Sequence, residues 1–392
     1  MKPVNIVMVG HVDHGKSTLI GRLLYDTNSL PEEKIKEIEE TCKALGRDIE
    51  FAYITDALEE ERENNITIDT TQIFFKSKRD YVIVDAPGHK EFLKNMVTGA
   101  SYADIGVLIV DAEEGIKEQT KRHAYILKIL GIEKIIVVVN KMDKVNYSEK
   151  RFLEIKETIE EYLSSIGLIA TYIPVSAYHG DNVAKKSGKM KWYLGDTFLE
   201  VLDKIKIERK EFDFRFAIQD IYKGIYLGNI MSGEIKEGEE VKVYPSNKSV
   251  KINEIFYGNK KLKEARAPLS VGLVFDREIN AERGDIICKS EPKIKKEIEA
   301  IVLCLVDEIR EGEKYKFLCA TQEIEGIVKK IVEKIDVETL ERKYDEKLKE
   351  NEIGKVKISL EKPIVMEDFN SLPELGRFAI AKEGKLIAGG RI

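Results

Sequence analysis

The first half of the chain alternates short apolar runs with longer amphipathic stretches. The apolar runs are rich in β-branched side chains and bounded by turn residues; they cover residues 4–9, 81–84, 106–110, 134–139 and 171–175. Such runs are typical of parallel strands that are buried on both faces. The stretches between them have helical periodicity, at residues 16–24, 90–98, 119–130 and 149–166. The pattern predicts an α/β domain with a doubly wound, mostly parallel sheet.

After Glu208 the pattern changes to short strand-like runs that are punctuated by glycine. The first group covers residues 214–221, 228–235, 240–244, 250–256, 270–275 and 285–288, and the second covers 298–306, 315–320, 326–335, 353–360 and 378–392. Frequent turn signals between short strands are typical of small all-β barrels. We expect the charged segment 338–350 to be a short helix or loop. The sequence thus predicts three domains: an α/β domain at 1–208 and two β-barrels at 209–294 and 295–392.

Composition adds limits rather than a function. The 392 residues are 43% hydrophobic and 34% charged, with a net charge of -6, which is typical of a soluble folded protein and gives no indication of a strongly basic nucleic-acid binder. The four cysteines form no C-x-x-C pair, as expected of a reducing cytoplasm. The chain starts without a signal peptide and has no apolar run long enough to cross a membrane, so we expect a cytoplasmic protein with no membrane partner.

A phosphate-binding motif follows the first predicted strand. The run Gly10-His11-Val12-Asp13-His14-Gly15-Lys16-Ser17, continued by Thr18, fits G-x-x-x-x-G-K-[ST] and opens a predicted helix. The glycines let backbone N–H groups surround the phosphates, and the helix N-terminus adds partial positive charge. Lys16 supplies a positive charge to the β- and γ-phosphates, and Ser17 supplies a hydroxyl to Mg²⁺.

Three further motifs follow other predicted strands and specify the nucleotide. They are Asp85-Ala86-Pro87-Gly88, Asn140-Lys141-Met142-Asp143 and Ser176-Ala177. The Asp143 carboxylate can accept both N1–H and the exocyclic amine of guanine, whereas adenine would leave buried polar groups unpaired. A backbone N–H near Ala177 can read the guanine oxygen. The order of the motifs predicts a GTP site.

The Mg²⁺ ligands are expected to come from three separate segments. Ser17 lies in the phosphate loop, Asp85 can hold the ion through water, and Thr67 lies between them. A threonine at this place can bind Mg²⁺ only while the γ-phosphate is present, so we expect Thr67 to act as a switch. An ordinary threonine at the start of a strand is the alternative.

Together these motifs resemble the elongation factor Tu superfamily over essentially the whole chain. The resemblance is carried by 11–16, Ile66-Thr67-Ile68-Asp69, 85–89 and 140–143. It implies a P-loop GTPase domain followed by two β-barrels. It also implies that His89, the histidine after D-A-P-G, positions the water that attacks the γ-phosphate. Asn65 departs from the family, which usually has glycine before the switch isoleucine.

Two branches of that superfamily are similar to this sequence. The GTP-binding large subunit of sulfate adenylyltransferase is resembled at residues 19–26, 111–123, 180–183, 190–193, 276–279, 283–285 and 335–340. The elongation factor 1-alpha branch is resembled near the C-terminus, at Pro363 and at residues 375–380. We expect the first branch and keep the second as the alternative.

The two branches imply different partners. The sulfate branch implies a smaller ATP-binding subunit, on which GTP hydrolysis drives synthesis of adenosine 5'-phosphosulfate from ATP and sulfate. The elongation factor branch implies aminoacyl-tRNA as the partner. A regulatory module that holds nucleotide without turnover is a third possibility. GTP and Mg²⁺ are the expected cofactors in each case.

Overall fold

The protein is described from a computed structural model, which defines residues 3–11, 13–30, 35–36, 51, 72–84, 103–207 and 212–392. Among these residues, those up to 207 form one compact unit and those from 212 onward form a second. The observed class is an α/β domain followed by two β-barrels, so the predicted fold class is confirmed. The predicted domain boundaries at 208/209 and 294/295 stay predictions.

The first unit is built on a six-stranded sheet in the order β2-β3-β1-β4-β5-β6. Its strands are β1 (Val4–Gly10), β2 (Gln72–Lys76), β3 (Asp80–Val84), β4 (Ile105–Asp111), β5 (Ile135–Asn140) and β6 (Ala170–Pro174). All neighbours are parallel except β2, which pairs antiparallel with β3. β4 and β5 are buried along their whole length, as their unbroken apolar runs predict.

The described part of the first unit contains four helices, of which the last follows β6. They are α1 (Lys16–Asp26), α2 (Glu118–Ile129), α3 (Glu149–Ser165) and α4 (Phe198–Lys204), with a 3₁₀ turn at Met142–Val145. α3 begins at Ser148, whose hydroxyl accepts a hydrogen bond from the Arg151 N–H. The helix predicted at 90–98 lies outside the described residues. No helix in the described part of the chain is long and apolar enough to cross a membrane.

The second unit begins with a barrel of nine strands. They are β7 (Arg215–Tyr222), β8 (Ile225–Ser232), β9 (Glu234–Lys236), β10 (Glu240–Tyr244), β11 (Lys248–Tyr257), β12 (Lys260–Leu262), β13 (Glu264–Arg266), β14 (Ser270–Phe275) and β15 (Ile286–Cys288). The main sheet has the order β10-β15-β7-β8-β14-β11-β12 and closes because β10 also pairs with β11. Closure leaves no open edge between these two strands.

The second barrel repeats this plan with longer strands. They are β16 (Ile294–Cys304), β17 (Glu308–Arg310), β18 (Lys314–Cys319), β19 (Gln322–Ile335), β20 (Arg342–Lys343), β21 (Lys347–Lys349), β22 (Ile353–Val365), β23 (Arg377–Lys382) and β24 (Lys385–Arg391), with one helical turn, α5, at Pro373–Gly376. The order β18-β23-β24-β16-β22-β19-β20 closes through β18 and β19.

Two details of the predicted barrels were wrong. The charged segment 338–350 contains β20 and β21, which pair with β19 and β17, rather than only a helix or loop. The run 378–392 is a hairpin of two strands, which turns at Glu383 and Gly384, both with positive φ. β21 places one buried leucine between two lysines, and β20 consists of two exposed charged residues, so neither strand contains an apolar run.

One apolar cluster spans both barrels, beside a separate core within the first barrel. Ala217, Tyr244 and Cys288 of the first barrel join a buried cluster that is formed mainly by the second. A buried ion pair crosses the same junction, where Arg215 Nη2 lies 2.9 Å from Glu367 Oε1. The junction is therefore sealed by both apolar contacts and a charge pair.

Candidate functional site

The phosphate loop turns sharply from β1 into α1. Asp13 and Gly15 both have positive φ, of 68° and 84°, and Gly15 is the residue that precedes the first turn of α1. Lys16, Ser17 and Thr18 occupy that first turn, whose N-terminus has no side-chain cap. A helix N-terminus is a suitable anion-binding site, because its backbone N–H groups point outward at the positive end of the helix dipole. The loop therefore fits a phosphate chain.

Two glycines of the loop are required by close packing. A Cβ atom on Gly10 would lie 3.0 Å from the carbonyl oxygen of Ile109 in β4. A Cβ atom on Gly15 would lie 2.5 Å from the Asn140 side-chain nitrogen, a distance at which real atoms clash. The glycines thus allow the loop to lie against both β4 and the motif after β5.

Histidines of the loop are packed inward. His14 is fully buried, and its Nδ1 lies 3.2 Å from the Ile109 carbonyl oxygen. Its Nε2 lies 3.6 Å from a carboxylate oxygen of Glu114. His11 meets His14 edge to face, with ring centroids 5.3 Å apart. These contacts attach the loop to Ile109 and Glu114, so His11 and His14 stabilise its conformation.

Asn140 joins the phosphate loop to the loop after β6. Its Nδ2 donates to the His14 carbonyl oxygen at 3.0 Å. Its Oδ1 accepts from the Ala177 N–H at 3.0 Å, and both bonds are buried. Because a buried polar group without its partner is costly, Asn140 fixes these two loops relative to each other.

The carboxylate that we predict to read the base is held beside Ser176. The Ser176 hydroxyl donates to Asp143 Oδ1 at 2.5 Å. Asp143 is half-buried in the 3₁₀ turn after β5. One carboxylate oxygen therefore has a fixed partner, and the side chain keeps acceptor capacity for a further ligand.

The carboxyl ends of three strands bring these motifs together. The phosphate loop follows β1, Asn140 ends β5, and Ser176 follows β6, while β4 lies between β1 and β5 in the sheet. Open α/β sheets bind ligands in the crevice outside the carboxyl ends of their strands. The described part of the site lies at this edge.

The structure describes most of the predicted nucleotide contacts. Those that it describes are Gly10, His11, Asp13, His14, Gly15, Lys16, Ser17, Thr18, Asn140, Lys141, Asp143, Ser176 and Ala177. Val12, Thr67, the run Asp85-Ala86-Pro87-Gly88, and the predicted catalytic His89 lie outside the described residues. Of the three predicted Mg²⁺ ligands, only Ser17 is described, so the predicted ion site stays a prediction.

Sequence reasoning missed Asp111, at the end of β4. Its buried carboxylate lies 2.7 Å from Lys141 Nζ and accepts from the Glu113 N–H at 2.7 Å. The available signal is an acidic residue at the carboxyl end of a buried apolar strand, next to the strand that ends at Asn140 and is followed by Lys141. That signal needs the strand order, which the sequence alone does not give.

Comparison with known proteins agrees with this geometry. The description "Elongation factor Tu GTP binding domain" matches residues 1–208, which makes this half of the chain a GTPase domain. The description "GTP-eEF1A C-terminal domain-like" matches residues 297–392.

Curated relatives extend the match to the whole chain. Elongation factor 1-alpha from Pyrococcus furiosus is 39% identical over 419 aligned positions, with 99% of this chain and 97% of the relative covered. Elongation factor 1-alpha from Archaeoglobus fulgidus is 37% identical over 411 positions, with the same coverage. That from Methanopyrus kandleri is 36% identical over 418 positions, with 99% and 96% covered. The chain therefore belongs to the elongation factor Tu and elongation factor 1-alpha family of translation-type GTPases.

These relatives change the balance between the two predicted branches. All three carry the elongation factor name, which was the alternative in the sequence reading. They give no support to a subunit of sulfate adenylyltransferase.

Proposed function

We propose that this chain is a translation GTPase of the elongation factor 1-alpha type, which carries aminoacyl-tRNA in its GTP-bound state. The observation that supports it most is the 39% identity that extends over 99% of the chain, into both barrels. A shared GTPase domain alone would fit many functions, because function is carried by sites and not by folds. Similarity across the barrels, including the C-terminal description at 297–392, favours the elongation factor branch.

The phosphates of GTP would lie on the loop between β1 and α1. The positive φ of Gly15 turns the backbone there, and the uncapped first turn of α1 offers its N–H groups. Lys16 adds a positive charge and Ser17 a hydroxyl for Mg²⁺, with Thr67 and Asp85 as the other proposed holders of the ion. Mg²⁺ would neutralise charge that develops on the phosphate oxygens.

The guanine base would lie beside the 3₁₀ turn that follows Asn140 and carries Asp143. Asp143 would accept from the two N–H donors of the guanine edge. The Ala177 N–H donates to Asn140 Oδ1 at 3.0 Å, which holds the loop after β6 beside this motif. Lys141 and the loop at Ser176 complete the base site. Adenine presents an acceptor where guanine presents N1–H, so it would leave Asp143 facing an acceptor.

Hydrolysis in this proposal needs a residue that orients water toward the γ-phosphate. We assign this role to His89, because its imidazole can orient the water through a hydrogen bond. Replacing His89 by Ala should leave GDP affinity unchanged and abolish measurable GTP hydrolysis. If the wild-type chain hydrolyses GTP and His89→Ala does not, the chain is not a module that only holds nucleotide.

The deciding experiment follows the aminoacyl ester of a charged tRNA. With GTP and Mg²⁺ present, the purified chain should slow spontaneous hydrolysis of that ester, and with GDP it should not. The control is an equal amount of the chain loaded with GDP. Equal hydrolysis in both states would contradict the proposal. Sulfate-dependent pyrophosphate release with a smaller ATP-binding chain would support the sulfate branch instead.

A further inference from the structure

The loop after β5 is held in an unfavourable conformation. Lys141, Asn146 and Tyr147 have φ values of 60°, 53° and 55°, although none of them is glycine. Asparagine adopts left-handed backbone fairly readily, but for lysine and tyrosine it is uncommon and persists only where surrounding contacts impose it. Asp143 lies between them, so the contacts that impose this shape also fix the proposed base reader.

One set of contacts acts at the start of the loop. Lys141 Nζ lies 2.7 Å from Asp111 Oδ2, and the Asp111 side chain is only 2% exposed. Burial alone would raise the pKa of Asp111, but the hydrogen bonds from Lys141 and from the Glu113 N–H outweigh it and hold the pKa below its ordinary value. Asp111 is therefore ionised, and its contact with Lys141 anchors the start of the loop to the end of β4.

A second set acts at the end of the loop. Lys189 Nζ donates to the Tyr147 hydroxyl at 2.8 Å and lies 4.8 Å from the centre of the Tyr147 ring. Trp192 Nε1 donates to the Tyr147 carbonyl oxygen at 3.0 Å. Both the ring and the backbone of Tyr147 are thus held from outside the loop.

Lys189 also reaches the other loop of the base site. Its Nζ lies 3.4 Å from Asp181 Oδ2, and Asp181 accepts from the Ser187 hydroxyl at 2.7 Å. Asp181 belongs to the turn that starts at Ser176, since its N–H donates to the Ser176 carbonyl oxygen at 3.1 Å. One ammonium group therefore links the segment after Asp143 to the segment after Ser176.

We propose that Asp111 and Lys189 are positioning residues for guanine recognition, which fix the loop 140–147 at its two ends and so hold Asp143 in its reading position. The inference rests on the proposed guanine site and adds two residues that do not touch the nucleotide. An ordinary surface pair in the same region is Lys144 with Glu113, at 3.9 Å and with both side chains more than half exposed. Lys189 is equally exposed, at 51% against 53% for Lys144, but it makes a 2.8 Å hydrogen bond to Tyr147, whereas a long exposed ion pair contributes little. Lys144 is therefore a control that is matched in exposure.

The test compares two nucleotides that differ at one group. IDP lacks the exocyclic amine from which Asp143 is proposed to accept a hydrogen bond. The ratio of GDP affinity to IDP affinity therefore reports the position of that carboxylate. We expect Asp111→Asn and Lys189→Met each to lower GDP affinity about tenfold, with a smaller loss for IDP, so that the ratio falls. Lys189→Arg, which keeps the donor, should restore the ratio. Lys144→Gln should leave both affinities unchanged.

Two results would overturn the inference in distinguishable ways. If the wild-type chain does not prefer GDP over IDP, the guanine site itself is wrong. If the wild-type chain does prefer GDP and both variants keep its ratio, only the positioning role is wrong. Thermal unfolding should be measured in parallel. If Asp111→Asn does not fold, the test uses Lys189→Met and Tyr147→Phe. Each of these variants removes one partner of the hydrogen bond between Lys189 and Tyr147.

Discussion

At the scale of single residues, the proposed preference for guanine depends on one carboxylate and its acceptor capacity. Asp143 is fixed by the Ser176 hydroxyl and borders the loop that the Asn140 bonds hold in place. A carboxylate accepts from two donors at once, whereas a carboxamide offers one acceptor and one donor. The preference for guanine can therefore be inverted by exchanging one atom.

We predict that Asp143→Asn shifts binding from guanine to xanthine. The new amide N–H faces the carbonyl that xanthine carries in place of the guanine amine, while guanine meets a donor with a donor. We expect GTP affinity to fall by about a hundredfold or more and xanthosine triphosphate affinity to rise. Competition against a fluorescent nucleotide measures both. Glu113→Gln is the control, and unchanged GTP affinity in Asp143→Asn would contradict the guanine assignment.

The motifs predicted several residues that the fold brings to one edge of the sheet, and their contacts with nucleotide stay predictions. Asn140 was found as part of a base-reading motif, yet the structure shows it bonded to His14 and Ala177. Asp111 and Lys189 were not found. Their contacts depend on which strands are neighbours and on where a loop returns, and neither fact is local in sequence.

At the scale of secondary structure, burial decides which elements the sequence reveals. β4 and β5 are apolar throughout and were predicted almost to the residue. β2 was missed because it is an edge strand that alternates buried and exposed residues, and Phe74 in it is 60% exposed. Period-two alternation over five residues is too short to separate from a loop by apolar runs alone.

Gly15, which precedes α1, can be compared directly with Gly167, which follows α3. Gly15 and Gly167 have similar φ values, of 84° and 73°, but a Cβ on Gly15 would lie 2.5 Å from Asn140 whereas nothing lies within 4 Å of one on Gly167. Both changes to Ala carry the left-handed cost of roughly 1–2 kcal/mol. Only Gly15→Ala should also abolish GDP binding and lower the melting temperature further. If both variants lost the same GDP affinity and the same melting temperature, backbone strain alone, without the clash, would explain the effect.

At the scale of the whole molecule, the described cysteines lie in the apolar cluster that spans the two barrels. Cys288, Cys304 and Cys319 are all free and buried. Burial raises the pKa of each of these thiols to about 12. Because the thiolate is the reactive form, raising the pKa keeps these groups protonated and inert at neutral and mildly alkaline pH.

We predict that these three thiols react only when the barrels open. At pH 8 the thiolate fraction for a pKa four units higher is on the order of 1 in 10,000, and burial also blocks access. Iodoacetamide should therefore label none of the three in the native chain and all three in denaturant, as counted by mass spectrometry. Cys42 lies outside the described residues, so the experiment uses a Cys42→Ser background. Rapid native labelling of Cys288 would show that the barrel junction opens more readily than its packing implies.

The architecture of the second unit was predicted from turn spacing, but the joint between its barrels was not. Arg215 and Glu367 are separated by 152 positions, and both are buried, with side-chain exposures of 2% and 4%. Arg215 also donates to the Phe214 carbonyl oxygen and to the Ser290 hydroxyl, at 3.1 and 3.2 Å. A sequence search sees two ordinary charged residues, since only the fold brings them together.

A double-mutant cycle tests what this buried pair contributes to the second unit. Removing one partner strands the other charge in an apolar junction, so Arg215→Met and Glu367→Leu should each destabilise the chain by about 3–5 kcal/mol. The double variant removes both charges and should cost clearly less than the sum of the singles, because no stranded charge remains. Urea unfolding measures all four proteins. An additive result would mean that the two side chains do not interact, and the junction would then be held by its shared apolar core alone.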